Sequence, residues 1–145
     1  MLYIVTMNPR TLYLIKRMEI EVTTRMSKVL AEFELTPIQY TVLYFVDYER
    51  GDLSSAQLSR RFSTTPQSMN ELVAVLQKKR LLKKSTSPNH KRILHLNLSE
   101  RGKAVLDKCN HKLDEIEEGI LESLTQKEIQ SFRELAVKMI GTLRN

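Results

Sequence analysis

The sequence predicts a mainly α-helical fold carrying one small β-hairpin, and three observations predict it. Glycine and proline are scarce, with four of each in 145 residues, which suits helices better than a turn-rich β architecture. Apolar residues recur at spacings of three and four along most of the chain, the period of a helix face. That period shifts to two around residues 81–98, where a hairpin is expected. Hydrophobic residues make up 41% and charged residues 28%, a balance that favours one folded domain over disorder.

Taken in order, the first helix is expected from about Thr11 to Phe33. Leu14, Ile15, Met18, Val22, Met26, Val29, Leu30 and Phe33 form its apolar stripe, and no glycine or proline interrupts it. Thr36-Pro37-Ile38-Gln39 is a helix start, with a capping hydroxyl, proline at the first position and a glutamine placed to reach back. The second helix should run to about Tyr48 and stop at Arg50-Gly51-Asp52. Tyr40, Tyr44 and Tyr48 share one of its faces. Packing in a core or interface is one role for that stripe, and the wall of a ligand pocket is the alternative. Ser54 to Phe62 is a short helix with a second capping box and the anchors Leu58 and Phe62.

After the turn Ser63-Thr64-Thr65-Pro66, a helix with Thr65 as cap buries Met69, Leu72, Val73 and Leu76. Its outer face shows Gln67, Ser68, Asn70, Glu71, Ala74, Gln77 and Lys78. Two short helices joined by such a turn have helix-turn-helix spacing, and short hydrogen-bonding side chains at the start of the second suit groove reading. Leu81 to Ser85 is a strand. Thr86 to Lys91 is a basic tip containing Ser87-Pro88-Asn89. From Arg92, Leu94, Leu96 and Leu98 alternate with Ile93, His95 and Asn97. The layout is a winged helix-turn-helix. Ser99 then caps a helix with the narrow seam Leu106, Cys109, Leu113, Ile116, Ile120. A third capping box, Thr125 to Glu128, starts a last helix striped by Ile129, Phe132, Ala136, Met139 and Leu143.

Charge is unevenly distributed. Residues 54–103 carry 11 basic and 2 acidic side chains, net +9, whereas residues 1–53 are net −1 and residues 104–145 net −2. A block this one-sided points to a polyanionic partner, double-stranded DNA in this setting. The long terminal helices carry apolar seams with no strands to cover, so a second copy of the chain is the expected partner for them. A two-fold dimer of this kind spaces its recognition helices about 34–36 Å apart. No apolar run approaches the roughly 18 residues of a membrane span, and no secretory leader is evident, so a cytoplasmic location is expected.

Catalysis is not expected. His90, His95 and His111 are scattered, and HExxH, GxSxG and Gly-rich phosphate loops are missing. Cys109 and His111, two apart on a helix, point away from each other. With no cysteine pair at ligand spacing, neither a metal site nor a cofactor is predicted. Cys109, the lone cysteine, sits in an apolar seam that suits a buried thiol; a redox-responsive regulator acting through it is the alternative.

Leu35-Thr36-Pro37-Ile38-Gln39-Tyr40-Thr41-Val42-Leu43 resembles the LTxxQxxvL signature of the MarR family of bacterial regulators. Asp52 through Leu76 is similar to that family's helix-turn-helix. His90-Lys91-Arg92, followed by Leu98-Ser99-Glu100-Arg101-Gly102, resembles its wing pattern D-x-R-x5-L-T-x-x-G. The resemblance spans nearly the whole chain. It implies a winged-helix lobe at about residues 36–99 and a dimerisation lobe made of residues 1–34 and 100–145. The function implied is a homodimeric transcription factor, commonly a repressor, that releases a palindromic operator on binding a small, often phenolic ligand.

The resemblance places Thr65, Gln67, Ser68 and Asn70 at the major groove and Arg92 in the wing, with Lys91 and His90 near its tip. Glu71, Lys78 and Lys79 complete the expected DNA-contacting set on the recognition helix, residues 65–80, beside the wing, residues 81–98. Tyr40 and Tyr44, with Arg17 as a carboxylate partner, are the expected ligand-pocket residues. The chain departs from the family pattern at three positions. His90 replaces the wing aspartate, Arg80 stands where glycine usually follows the recognition helix, and Glu71 lies where many relatives have arginine. A winged-helix module that docks on another protein is the remaining alternative.

Overall fold

The computed structural model describes residues 8–87 and 90–144, without the side chains at 87, 90 and 91. The expected tip residues Pro88 and Asn89, the side chains of His90 and Lys91, and the apolar start at residues 1–7 lie outside the described residues. Along the chain run α1 (Thr11–Leu30), a 3-10 turn (Ala31–Phe33), α2 (Pro37–Tyr48), β1 (Leu53–Ser54), α3 (Ser55–Arg61) and α4 (Pro66–Lys78). They are followed by β2 (Leu82–Ser87), β3 (His90–Leu98), α5 (Glu100–Leu121) and α6 (Gln126–Leu143). Two compact units result, one reaching Lys112 and the other beginning at Leu113.

The expected helix starts form as the sequence dictates. Thr36, Ser54 and Thr125 each accept from the backbone N–H three residues on, while Gln39, Gln57 and Glu128 reach back to the cap. Thr65 caps α4 by accepting from the Ser68 N–H at 3.1 Å. Two boundaries differ from expectation. The first helix ends at Leu30 rather than near Phe33, because the chain tightens into a 3-10 turn and reverses at Glu34, φ 55°. The hairpin strands reach Ser87 and resume at His90, so its tip is shorter than the six residues expected.

The sheet has three antiparallel strands in the order β1-β3-β2. Leu53 and Ser54, not expected as a strand, pair with Leu96 and His95. β2 and β3 pair from Leu82 with Leu98 to Thr86 with Leu94, after which the register breaks. Alternation predicts Leu94 on the buried face, but it is exposed along with Ile93; among the described side chains of the wing, those at its base, Leu81, Leu82 and Leu96, reach the core. That core joins Leu30, Leu35, Val42, Leu43 and Val46 to Leu58, Met69, Val73, Leu76 and Leu106.

One junction positions α4 against the β2–β3 hairpin. Arg80 ends α4 in the left-handed region, φ 60°, with its N–H on the Gln77 carbonyl (2.8 Å) and that of Leu81 on Leu76 (3.0 Å). The Leu81 carbonyl accepts from the Ser99 N–H at 3.0 Å. Ser99 Oγ donates to the Arg80 carbonyl at 2.6 Å and accepts from the Gly102 N–H at 2.9 Å. A Cβ on Gly102 would lie 2.0 Å from the Leu81 carbonyl oxygen, so α5 can start there only with glycine. Two expected outcomes follow for urea unfolding. Gly102→Ala should lower stability by roughly 3 kcal/mol, since backbone must move. Arg80→Gly should raise it by about 0.5–1 kcal/mol, the left-handed cost less glycine's entropy. Unchanged midpoints in both would refute this account of the junction.

Candidate nucleic-acid interface

The helix-turn-helix is α3, the turn at Phe62–Thr65, and α4. Leu58 on α3 and Met69, Val73 and Leu76 on α4 are buried, which fixes which face of each helix looks outward. Ser63 takes φ 48° inside the turn, and the Thr64 N–H bonds to the Ser59 carbonyl at 3.0 Å. The outward face of α4 begins with Thr65, Gln67, Ser68, Asn70 and Glu71, all exposed. These side chains are already wired to neighbours. Thr65 Oγ1 donates to Ser68 Oγ (2.9 Å), Gln67 Nε2 to Glu71 Oε1 (3.3 Å), and Ser55 Oγ on α3 to Asn70 Oδ1 (2.5 Å).

Between this helix face and the wing runs an open groove. It is lined by Ser54, Ser55, Gln57 and Arg60 from the α3 side, Asn70 from α4, and Lys84, Arg92, Ile93, Leu94 and His95 from the wing, with Asp52 at its margin. Arg60, Lys84 and Arg92 are exposed cations. The His95 ring is largely covered, and its Nδ1 lies 3.2 Å from the Gly51 carbonyl and 3.6 Å from Asp52 Oδ1. A carbonyl only accepts, so Nδ1 carries the proton in that contact. Three guanidinium and ammonium groups beside a row of short polar side chains form a surface for phosphates flanking readable bases.

Residues 33–93 match the profile of the MarR family. The chain is 27% identical over 127 residues to the HTH-type transcriptional repressor Rv2887 of Mycobacterium tuberculosis, covering 88% of this chain and 91% of that one. It is 25% identical over 108 residues to the HTH-type transcriptional regulator YhbI of Bacillus subtilis, covering 74% and 70%. In fold it is similar to MepR of S. aureus in its DNA complex, with TM-score 0.81, 18% identity and coverage of 92% and 96%. A mutant MarR of E. coli complexed with operator DNA superimposes with TM-score 0.75, 19% identity and coverage of 88% and 91%. The match over residues 33–93 and these relatives together support a MarR-family winged-helix regulator.

The relatives matched are named as transcriptional regulators, the class that the sequence also leads one to expect. Against the family-based expectations, the structure gathers Asn70 and Arg92 at one groove, with Gln67, Ser68 and Glu71 on the exposed face of the same helix as Asn70. Lys78 is exposed at the far end of α4. Lys79 is directed elsewhere: its ammonium donates to the Glu34 backbone carbonyl and to Gln39 Oε1 (3.3 Å), tying the end of α4 to the start of α2. Arg60, Lys84 and Ser55 are groove residues that sequence reasoning did not single out; for the two cations the only signal was the basic block itself.

The expected pocket residues are spread over three settings. Arg17 pairs with Glu21 at 2.7 Å on the exposed side of α1. Tyr40 donates its hydroxyl to Asn110 Oδ1 at 2.8 Å. Tyr44 stacks on Tyr48, centroids 6.4 Å apart and planes 16° from parallel, and is itself exposed. The stripe is therefore not core.

Cys109 is fully buried, and that burial pushes its thiol up to about 11. The redox alternative needs an accessible thiolate, and the structure places the sulfur in an apolar core instead. The thiol favours the folded state fully below its ordinary value of 9.0, and this contribution is lost as pH rises toward about 11. At pH 8 only about one thiol in a thousand is ionised, so a disulfide reagent should react over hours with the native chain and at once in denaturant. Rapid stoichiometric labelling of the native protein would contradict the buried-thiol reading.

Proposed function

We propose that the chain is a homodimeric repressor that binds a palindromic operator through α4 and the wing. The observation that carries this reading is the groove where Arg60, Lys84 and Arg92 meet the polar start of α4. None of these cations serves the core, and their placement beside Asn70 suits backbone charge flanking base edges. The exposed polar face of α4 would enter the major groove and the wing the minor groove beside it. MepR and MarR, similar in fold, have been solved on DNA, and the relative Rv2887 is named a repressor.

Support for the dimer comes from unspent apolar surface. Leu12, Tyr13, Ile15 and Met18 on α1 are exposed, as are Phe132, Leu135, Val137 and Ile140 on α6. A second copy is the partner that would cover such faces and set two recognition helices one DNA turn apart. On this reading the terminal helices form the dimerisation lobe and the chain works in the cytoplasm, where its operator is. Release would come from an aromatic or phenolic effector, supported by the ladder of Tyr40, Tyr44 and Tyr48 rings outside the core.

Duplex binding should weaken steeply with salt, each neutralised phosphate adding about 0.9 to the log–log slope. Arg92→Ala should weaken binding to all sequences alike and lower the slope by about one such unit, while Asn70→Ala should change the preferred sequence. Lys79→Met should leave the slope intact and lower the melting temperature. Titrations at several salt concentrations test all three, and a flat salt dependence for the unaltered chain would favour a protein-docking module instead. Light scattering at micromolar concentration should give twice the chain mass; a monomer would refute the dimer.

A further inference from the structure

We propose that Ser55 is a positioning residue that presets Asn70 as a hydrogen-bond donor, so that Asn70 reads guanine rather than adenine. The inference rests on the DNA-binding reading above and goes beyond it by assigning a base. An asparagine amide offers one acceptor oxygen and one amino group with two hydrogens. Bidentate reading of adenine uses both arms, the oxygen accepting from N6 and the amino group donating to N7. Here Ser55 Oγ donates to Asn70 Oδ1 at 2.5 Å, which turns the oxygen toward α3. The amino group is the arm left for the groove that both residues line.

A donor alone matches bases that present acceptors. Guanine presents two adjacent ones, N7 and O6, whereas adenine sets an amino group beside its N7. Charge in the groove favours the same choice, because Arg60, Lys84 and Arg92 line it with Asn70 and add donors, against the single carboxylate of Asp52 at its margin. Ser55 is free for this task. Ser54, not Ser55, caps α3, and its hydroxyl accepts from the Gln57 N–H at 3.2 Å. The serine pair thus divides its work, one hydroxyl closing the helix and the next orienting a side chain 15 residues on.

The test is selection of bound duplexes from a random-sequence library by the full chain. The position read by Asn70 is the one whose preference disappears in Asn70→Ala. There the unaltered chain should favour guanine over adenine by about tenfold, the worth of one good base contact. Ser55→Ala should shift that position toward adenine with its melting temperature unchanged, and Ser55→Thr, which keeps a hydroxyl, should restore guanine. The same base preference in Ser55→Ala as in the unaltered chain, or adenine chosen by the unaltered chain, would overturn the inference while leaving DNA binding intact. Enrichment of no sequence by the unaltered chain would remove the DNA-binding reading and this assignment together.

Discussion

The backbone junction of Arg80-Leu81 with Ser99-Gly102 is the constraint on which the module depends. The end of α4, both ends of the wing and the start of α5 meet there, held by main-chain groups and one serine hydroxyl. Side chains on the wing and on α4 can vary without moving it. The angle between recognition helix and wing is set at this point, so the width of the groove holding Asn70 and Arg92 is set there too. A glycine at 102 is required because the Leu81 carbonyl occupies the space of a side chain. The left-handed turn at Arg80 carries no such steric demand for one residue type: glycine would adopt it without strain, and arginine adopts it at a modest cost.

Two groups of cations in and around the helix-turn-helix and wing have different settings. Arg61 pairs with Glu49 at 2.6 Å and lies over the Phe45 ring, Lys103 pairs with Asp47 at 3.0 Å, and Lys79 clamps the start of α2. The hydrogen bond from Lys103 to Asp47 raises the lysine above its ordinary value, as expected of a cation held by an anion. These cations brace the module from behind. Arg60, Lys84 and Arg92 face its groove. A sum over the sequence counts both groups equally, although cations already paired within the chain have less to contribute to counterion release on a polyanion.

Legibility followed contact range. Helix starts at Thr36, Ser54 and Thr125 were readable because each box closes within three residues. The inward stripe of α4 was readable from its period, and Met69, Val73 and Leu76 are all buried. The two-residue strand β1 was not, since nothing local distinguishes Leu53-Ser54 from a loop and its pairing with Leu96 and His95 spans over forty residues. The roles of Lys79 and Ser55 were hidden for the same reason. Alternation in the wing overstated burial: it reports which face a residue is on, and no layer covers the outer half of that face at Leu94.

The last helix presents a different kind of constraint. α6 has 18 residues, a good cap and a regular apolar stripe, yet no buried residue. Helices of this length are marginal in water on propensity alone, and in proteins most helical stability comes from packing an amphipathic face. Among the described residues, nothing buries its stripe. On the dimeric reading, covering that stripe and forming the helix are one event, and the subunit interface also fixes the spacing of the two DNA-reading helices. Stability of the terminal helix and fit to a palindrome would then rise and fall together. In this fold, operator geometry would be set by hydrophobic burial far from any base, and base choice by hydrogen bonds within the groove.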